Sequence, residues 1–293
     1  MAIYSLDNEI SGLDISSLNT EFGDFFGLYC TQIMQMPEPE NPMLPGFMMR
    51  FTNDPVWADL GSLISEAYPD LNVQEKELGS WLASYAAHFN LDTLPQLVAY
   101  NSGFNVGIFP SDRWLGVGLE WYLSSDNRVV RKLPPDLFPQ YKRDKMRPEY
   151  LSINAFKGWL FYRHQELSGE DLINQIVFRG KVLFLTKVLS NVSDELLLNY
   201  SSDQLEWCRD NEFGIWTHLL ENDMVFTKDF REINKLVSDG PFTPGMPPES
   251  PGGVGNWLGL QMVESFMDKN GKVSLKELMS TNAQVILQSY KPN

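Results

Sequence analysis

Histidine is scarce in this chain of 293 residues: His88, His164 and His218 are the only three, and none is followed by glutamate. Metal-assisted hydrolysis on a helix needs two imidazoles one turn apart with a carboxylate base between them. No such pair exists here. Cysteine is scarcer still, with Cys30 and Cys208 alone. Their spacing leaves pairing open, and two buried, unpaired thiols are the expected state. Long apolar runs are missing too, with nothing near the ~18 residues that span a bilayer. Positive charge is short: 23 Lys and Arg stand against 38 Asp and Glu, a formal charge of −15. Nucleic acid and anionic membrane surfaces require clustered cations, so the balance argues against both. The one cationic stretch, Arg128–Lys145, is interrupted by Asp136 and Asp144 and reads as a solvated loop. The N-terminal MAIYSLDNEISGLDISS has neither the cationic nor the apolar segment of a signal peptide, and Cys30 follows the bulky Tyr29, unlike a lipobox cysteine.

What is present is a globular composition, 43% hydrophobic and 13% aromatic. Apolar spacings of three and four predict a first helix over Ser17–Met36, capped by Ser17, Asn19 or Thr20. MPEPENPMLPG breaks it, with four prolines and a glycine. Asp54-Pro55 starts a second helix that ends before Pro69, and a third spans Val73–Phe89. Three short β-rich runs follow, PQLVAYNSG, NVGIFPSD and WLGVGLEWYLSSD. They predict an antiparallel meander, with Leu115, Val117, Leu119, Trp121 and Leu123 on one face.

Beyond the Pro134–Pro148 connector the chain reads as helical. Helices are expected from Pro148 to about His164 and from Gly169 to Ser190, the latter apolar enough to be central. A long one over Glu206–Glu221 is capped by Ser202 or Asp203, another begins at Asp229, and a last one starts at the capping box Ser274–Glu277. His164, ending its helix, suits a cationic imidazole beside the dipole. The fold class is α+β: a mostly helical single domain with a small antiparallel sheet. It divides into N-terminal helices (1–90), the β meander (95–125) and a helical C-terminal part (148–293).

The organising stretch is Gly240–Met267, GPFTPGMPPESPGGVGNWLGLQMVESFM. Five prolines stiffen its first half, and an apolar helix follows directly. PFTPG with ESPGGVGNWLGLQMVESFM, and the upstream block Asp203–Gly240, resemble the GldB family of gliding-motility lipoproteins of Bacteroidetes-type bacteria. Weaker similarity through RGKVLFLTKVL and LPPDLFPQYKRDKMRPEYL extends the resemblance over nearly the whole chain. It implies a distantly zincin-like, degenerate scaffold. The metal-bearing helix would lie at Pro148–His164, where Asn154, Ala155 and Gly158 supply neither imidazole nor base, and Arg179 stands where a third ligand is expected.

Other chemistries find little support. DKNGKVSLKE has an EF-hand outline with Gly271 sixth and Glu277 twelfth, but its first ligand position falls on Phe266, so a glycine turn is the reading. Ser250 lacks the strand-to-helix context of a nucleophile elbow. The glycines of GGVGNWLG follow no strand and carry no lysine.

No catalytic residue, metal or cofactor is therefore assigned. The resemblance implies a non-catalytic envelope protein serving gliding motility and its secretion machinery through protein contacts, reaching the membrane only through an N-terminal lipid anchor that is not expected within this stretch. An atypical hydrolase, or a module binding envelope peptides or glycans, is the alternative. The candidate binding residues are Phe242, Thr243, Pro244, Ser250, Gly255, Trp257 and Gln261, with Glu212 and Trp216 beneath. If Glu212 is buried it needs a donor, which a backbone amide of the 243–255 loop could supply.

Overall fold

The computed structural model describes residues 3–5, 18, 20 and 22–292. The chain forms two compact units, one of Met1–Ala83 with Asp92–Trp159, the other of Ser84–Leu91 with Leu160–Asn293. Two of the three seams fall inside the helices Asn72–Phe89 and Leu151–His164, and the third follows Leu91.

The first unit holds the sheet. Its strands are β1 (Ile3–Ser5), β2 (Gln96–Tyr100), β3 (Ile108–Pro110) and β4 (Trp114–Gly118), in the order β1-β2-β4-β3. The α+β class stands, but the expected antiparallel meander does not: β1 and β2 pair in parallel, as do β2 and β4. Only β3 runs antiparallel, on the far side of β4. The chain leaving β2 is folded into a tight loop at residues 101–107 instead of turning back alongside it. It then enters β3, which pairs with β4 through the Ser111–Trp114 turn, where the Ser111 amide donates to the Trp114 carbonyl at 2.8 Å. Parallel strands are covered on both faces, and Leu97–Tyr100 and Trp114–Gly118 are buried throughout. The expected alternation to Leu123 ends early, because Leu119–Tyr122 is a 3-10 turn rather than strand.

Against the sheet packs an aromatic helix, Asp24–Leu28, which passes into a π-helical turn at Tyr29–Ile33. Phe22, Phe25, Phe26, Tyr29 and Ile33 form one core with Val98, Tyr100 and Trp114. The caps expected at Ser17 and Asn19 lie outside the described residues. A helix at Leu44–Thr52 begins inside the proline-rich break, with Pro45 in its first turn, where a missing amide costs nothing. Pro55–Ala67, capped by Asp54, and Asn72–Phe89 agree with the sequence.

The second unit is helical and centres on two crossing helices, Leu172–Ser190 and Val254–Lys269. Most of both is buried. They meet at glycine: a Cβ on Gly180 would lie 2.0 Å from the Gly259 carbonyl oxygen, and one on Gly259 equally close to that of Ile176. Around this crossing pack Phe230–Val237, Leu275–Ser280 and Ala283–Ser289.

The expected long helix over Glu206–Glu221 is two, Ser202–Asp210 and Glu212–Glu221, broken at Asn211. Its cap is Ser201, in a capping box with Gln204. The Ser274 box opens Leu275–Ser280, which is followed by one more helix. No described helix is long and apolar enough to cross a membrane. Cys30 and Cys208 are both free and buried, and burial pushes each thiol up to about 12.

Candidate functional site

The loop between Val237 and Val254 is held from within by Thr243, which is fully buried. Its amide donates to Ser250 Oγ at 3.2 Å, and its hydroxyl donates to the Pro251 carbonyl at 2.6 Å. The same oxygen accepts from the Val254 amide at 3.1 Å, tying the loop to the first turn of the next helix. Met246 returns an amide to the Thr243 carbonyl, and the Tyr200 hydroxyl holds Gly252 at 2.8 Å. Together with the prolines, these bonds leave the loop little freedom. Thr243 and Ser250, two of the expected binding residues, therefore clamp the loop itself. Pro244 and Phe242 are exposed on it. Gly255 and Trp257 are buried, and a Cβ on Gly255 would meet the Leu236 carbonyl at 2.8 Å. Their work is packing.

Glu212, Trp216 and Gln261 belong to another place. Glu212 is buried and accepts from the Tyr290 hydroxyl at 2.8 Å, while the Trp216 ring stands edge-on to Tyr290 at 5.7 Å. One donor to Glu212 is thus Tyr290, a residue the sequence gives no reason to single out. Glu212, Gln261 and Tyr290 line a polar cavity of about 280 Å³ with Glu264, Asp268 and Lys269. Gln261 donates to Glu264, which also pairs with Lys187 at 2.7 Å.

What the loop does build is a second cavity, of about 240 Å³. Met246 and Pro247 form one wall; Trp207, Ile215 and His218, from the two helices beside the Asn211 break, form the other. Gly214 and Gly245 leave the space open.

The positions of the missing metal helix have other roles. Ala155 is buried, a Cβ on Gly158 would meet Ile108 at 3.0 Å, and Asn154 hydrogen-bonds the Tyr122 phenol. Arg179 lies over the Phe161 ring at 5.7 Å, and burial lowers its pKa. Among the described residues, no group of three His, Cys, Asp or Glu side chains could hold a metal ion. His164 also departs from expectation: packed against Tyr85 and Phe89, it is held down to about 4 by burial and by Arg163. A neutral ring sits there, not an imidazolium.

A further polar cluster went unread in the sequence. Glu120, fully buried just past the end of β4, takes three hydrogen bonds on one oxygen. They come from the Ser102 amide at 2.9 Å, the Ser102 hydroxyl at 2.5 Å and the Phe104 amide at 3.1 Å. Its Oε2 has no partner among the described residues. Burial pushes its carboxyl up to about 7, against the pull of the Ser102 bonds. The bonds hold the loop after β2 with Gly103 and Phe104 both at positive φ, costly for phenylalanine. The signal was there: a lone carboxylate inside the apolar run LGVGLEWYL.

Comparison with known proteins gives one family. The model described as gliding motility protein GldB matches residues 1–292. None of the curated proteins and none of the solved structures gives a match.

Proposed function

Because the chain belongs to the GldB family of gliding-motility proteins, we propose that it serves gliding motility and the associated secretion machinery from the cell envelope. It acts there without catalysis, by contact with other proteins, on a pseudo-peptidase scaffold of zincin-like descent, and a lipid at the N-terminus holds it to the membrane. The observation that carries this reading is the extent of the family match, residues 1–292.

Two further features support it. Asn154, Ala155 and Gly158 are occupied by hydrogen bonding and packing rather than turned to a metal. A loop clamped by its own threonine and prolines is the kind of rigid element that presents a contact surface at low entropic cost. The test is gliding in a strain lacking the gene. Loss of spreading, restored by the chain carrying its lipid anchor, is the expected result. Normal gliding in the deletion strain would overturn the reading.

The alternative of an atypical hydrolase has one feature in its favour, the Glu120 carboxyl, whose pKa near neutrality suits a general base. Incubating purified protein with a mixed peptide substrate separates the two readings. No cleavage is expected; cleavage abolished by Glu120→Gln would establish the hydrolase.

A further inference from the structure

The cavity beside the rigid loop has the size and polarity of a socket for one side chain. Its volume of about 240 Å³ falls below the range of roughly 300–1,000 Å³ typical of drug-sized ligands. Trp207, Ile215, Met246 and Pro247 give it apolar walls. Two polar groups interrupt them, and their hydrogen bonds fix what each can offer.

The Asn222 amide nitrogen, a donor only, lies 3.3 Å from His218 Nδ1 and also donates to the His218 carbonyl at 2.8 Å. Nδ1 is therefore an acceptor, and in the neutral ring the proton resides on Nε2. That nitrogen is the one nearest the loop, 3.6 Å from where a Cβ on Gly245 would stand. Asn211 uses its amide nitrogen on the Trp207 carbonyl at 2.8 Å, which leaves its oxygen as an acceptor. Both residues line the hollow, and the groups these bonds leave unspent are one donor and one acceptor beside a wall that carries sulfur and indole.

We propose that this cavity receives the side chain of a tyrosine on a protein partner. A phenol accepts from His218 Nε2 and donates to Asn211 Oδ1, and its ring packs between Trp207 and Met246. Sulfur and indole both favour an aromatic face. Phenylalanine would leave both polar groups without partners, and an aliphatic side chain would forfeit the aromatic contacts as well. Buried tyrosines seated in preformed sockets are common anchors of protein interfaces. The inference rests on the contact reading above and gives that contact its chemistry.

The experiment uses the purified chain with N-acetyl-tyrosine amide, N-acetyl-phenylalanine amide, and a pentapeptide with tyrosine at its centre. Binding is followed through the His218 and Trp207 side-chain resonances. Tyrosine amide should shift both, with an affinity about 10-fold or more above that of the phenylalanine amide, the lower part of the range for two net hydrogen bonds. The pentapeptide should bind at least as well as the amide.

Gly214→Leu fills the hollow from a position where an added Cβ meets nothing within 4 Å, so it should abolish the shifts without lowering the melting temperature. Gly214→Ala, which adds only a methyl, controls for the helix. His218→Leu should erase the preference for tyrosine while keeping phenylalanine binding.

Equal binding of the two amides, binding unaffected by Gly214→Leu, or exclusion of the pentapeptide would each overturn the proposal. So would selective binding of a saccharide in place of tyrosine. Failure here with gliding still lost on deletion removes the tyrosine socket and leaves the motility role intact. Normal gliding on deletion with tyrosine still bound does the reverse.

Discussion

A free glutamate loses its proton near pH 4.5, and Glu120 keeps its proton up to about 7 because it is fully buried. The sign of the consequence follows. The folded state binds this proton more tightly than the unfolded chain, so Glu120 favours the fold fully below pH 4.5. That advantage is lost as pH rises through about 7. The shift corresponds to about 3 kcal/mol at most. Glu120→Gln keeps an acceptor for Ser102 and Phe104 but cannot ionise. Denaturant melts at pH 5 and pH 8 should show the variant gaining on the native chain at the higher pH, and a pH-independent difference would refute this account of the site.

Tyr290 makes a second residue-scale case. Its hydroxyl donates to the buried Glu212, and hydrogen bonds to charged groups are worth about 1.5–3 kcal/mol. Tyr290→Phe should cost stability in that range by thermal or chemical melting. A cost under about 0.5 kcal/mol would mean that other donors carry Glu212 alone. The sequence indicated that a buried Glu212 must have a donor. It gave no means of choosing Tyr290, 78 residues away in the chain, because a single long-range hydrogen bond leaves no periodic trace.

At the scale of elements, helices were legible where the pattern is local. Asp54-Pro55, Asp229 and the Ser274–Glu277 box all start helices as their side-chain chemistry requires. The failures have local causes too. Pro45 and Gly46 read as breakers, yet they fall in the first turn of Leu44–Thr52, where a proline is harmless. The break at Asn211 carries no proline or glycine, so periodicity ran through it. Strand pairing was not legible at all: the β-rich runs fixed that strands exist, whereas the partner of β2 depends on how the 101–107 loop is held at its end, by Glu120.

The crossing of the two central helices gives a sharp element-scale prediction. At Gly259 a methyl group would fall 2.0 Å from the Ile176 carbonyl oxygen, so the backbones must part to admit it. Gly259→Ala should destabilise by about 3 kcal/mol or more. Gly271→Ala, where nothing lies within 4 Å, should be near neutral. Melting both variants checks the contrast, and similar values for the two would contradict the close approach.

For the whole molecule, family membership was visible in the sequence because PFTPG and ESPGGVGNWLGLQM are long and unusual. The loop they encode is structurally demanding, with Thr243, Ser250 and three backbone partners meeting in one buried knot. The same fact explains why the expected binding residues were hard to sort. A motif selected by loop architecture marks the residues that hold the loop, whereas those lining the hollow beside it (Met246, Pro247 and, across from them, Trp207 and His218) are ordinary in spacing and composition.

The proposal that contact at this face serves motility is tested most directly by gliding speed in cells whose only copy of the gene carries Gly214→Leu, matched for protein level. A well-folded chain with a filled socket should leave cells stalled, as the deletion does, while Gly214→Ala glides normally. Full speed with the socket filled would contradict the claim that this face carries the protein's part in movement.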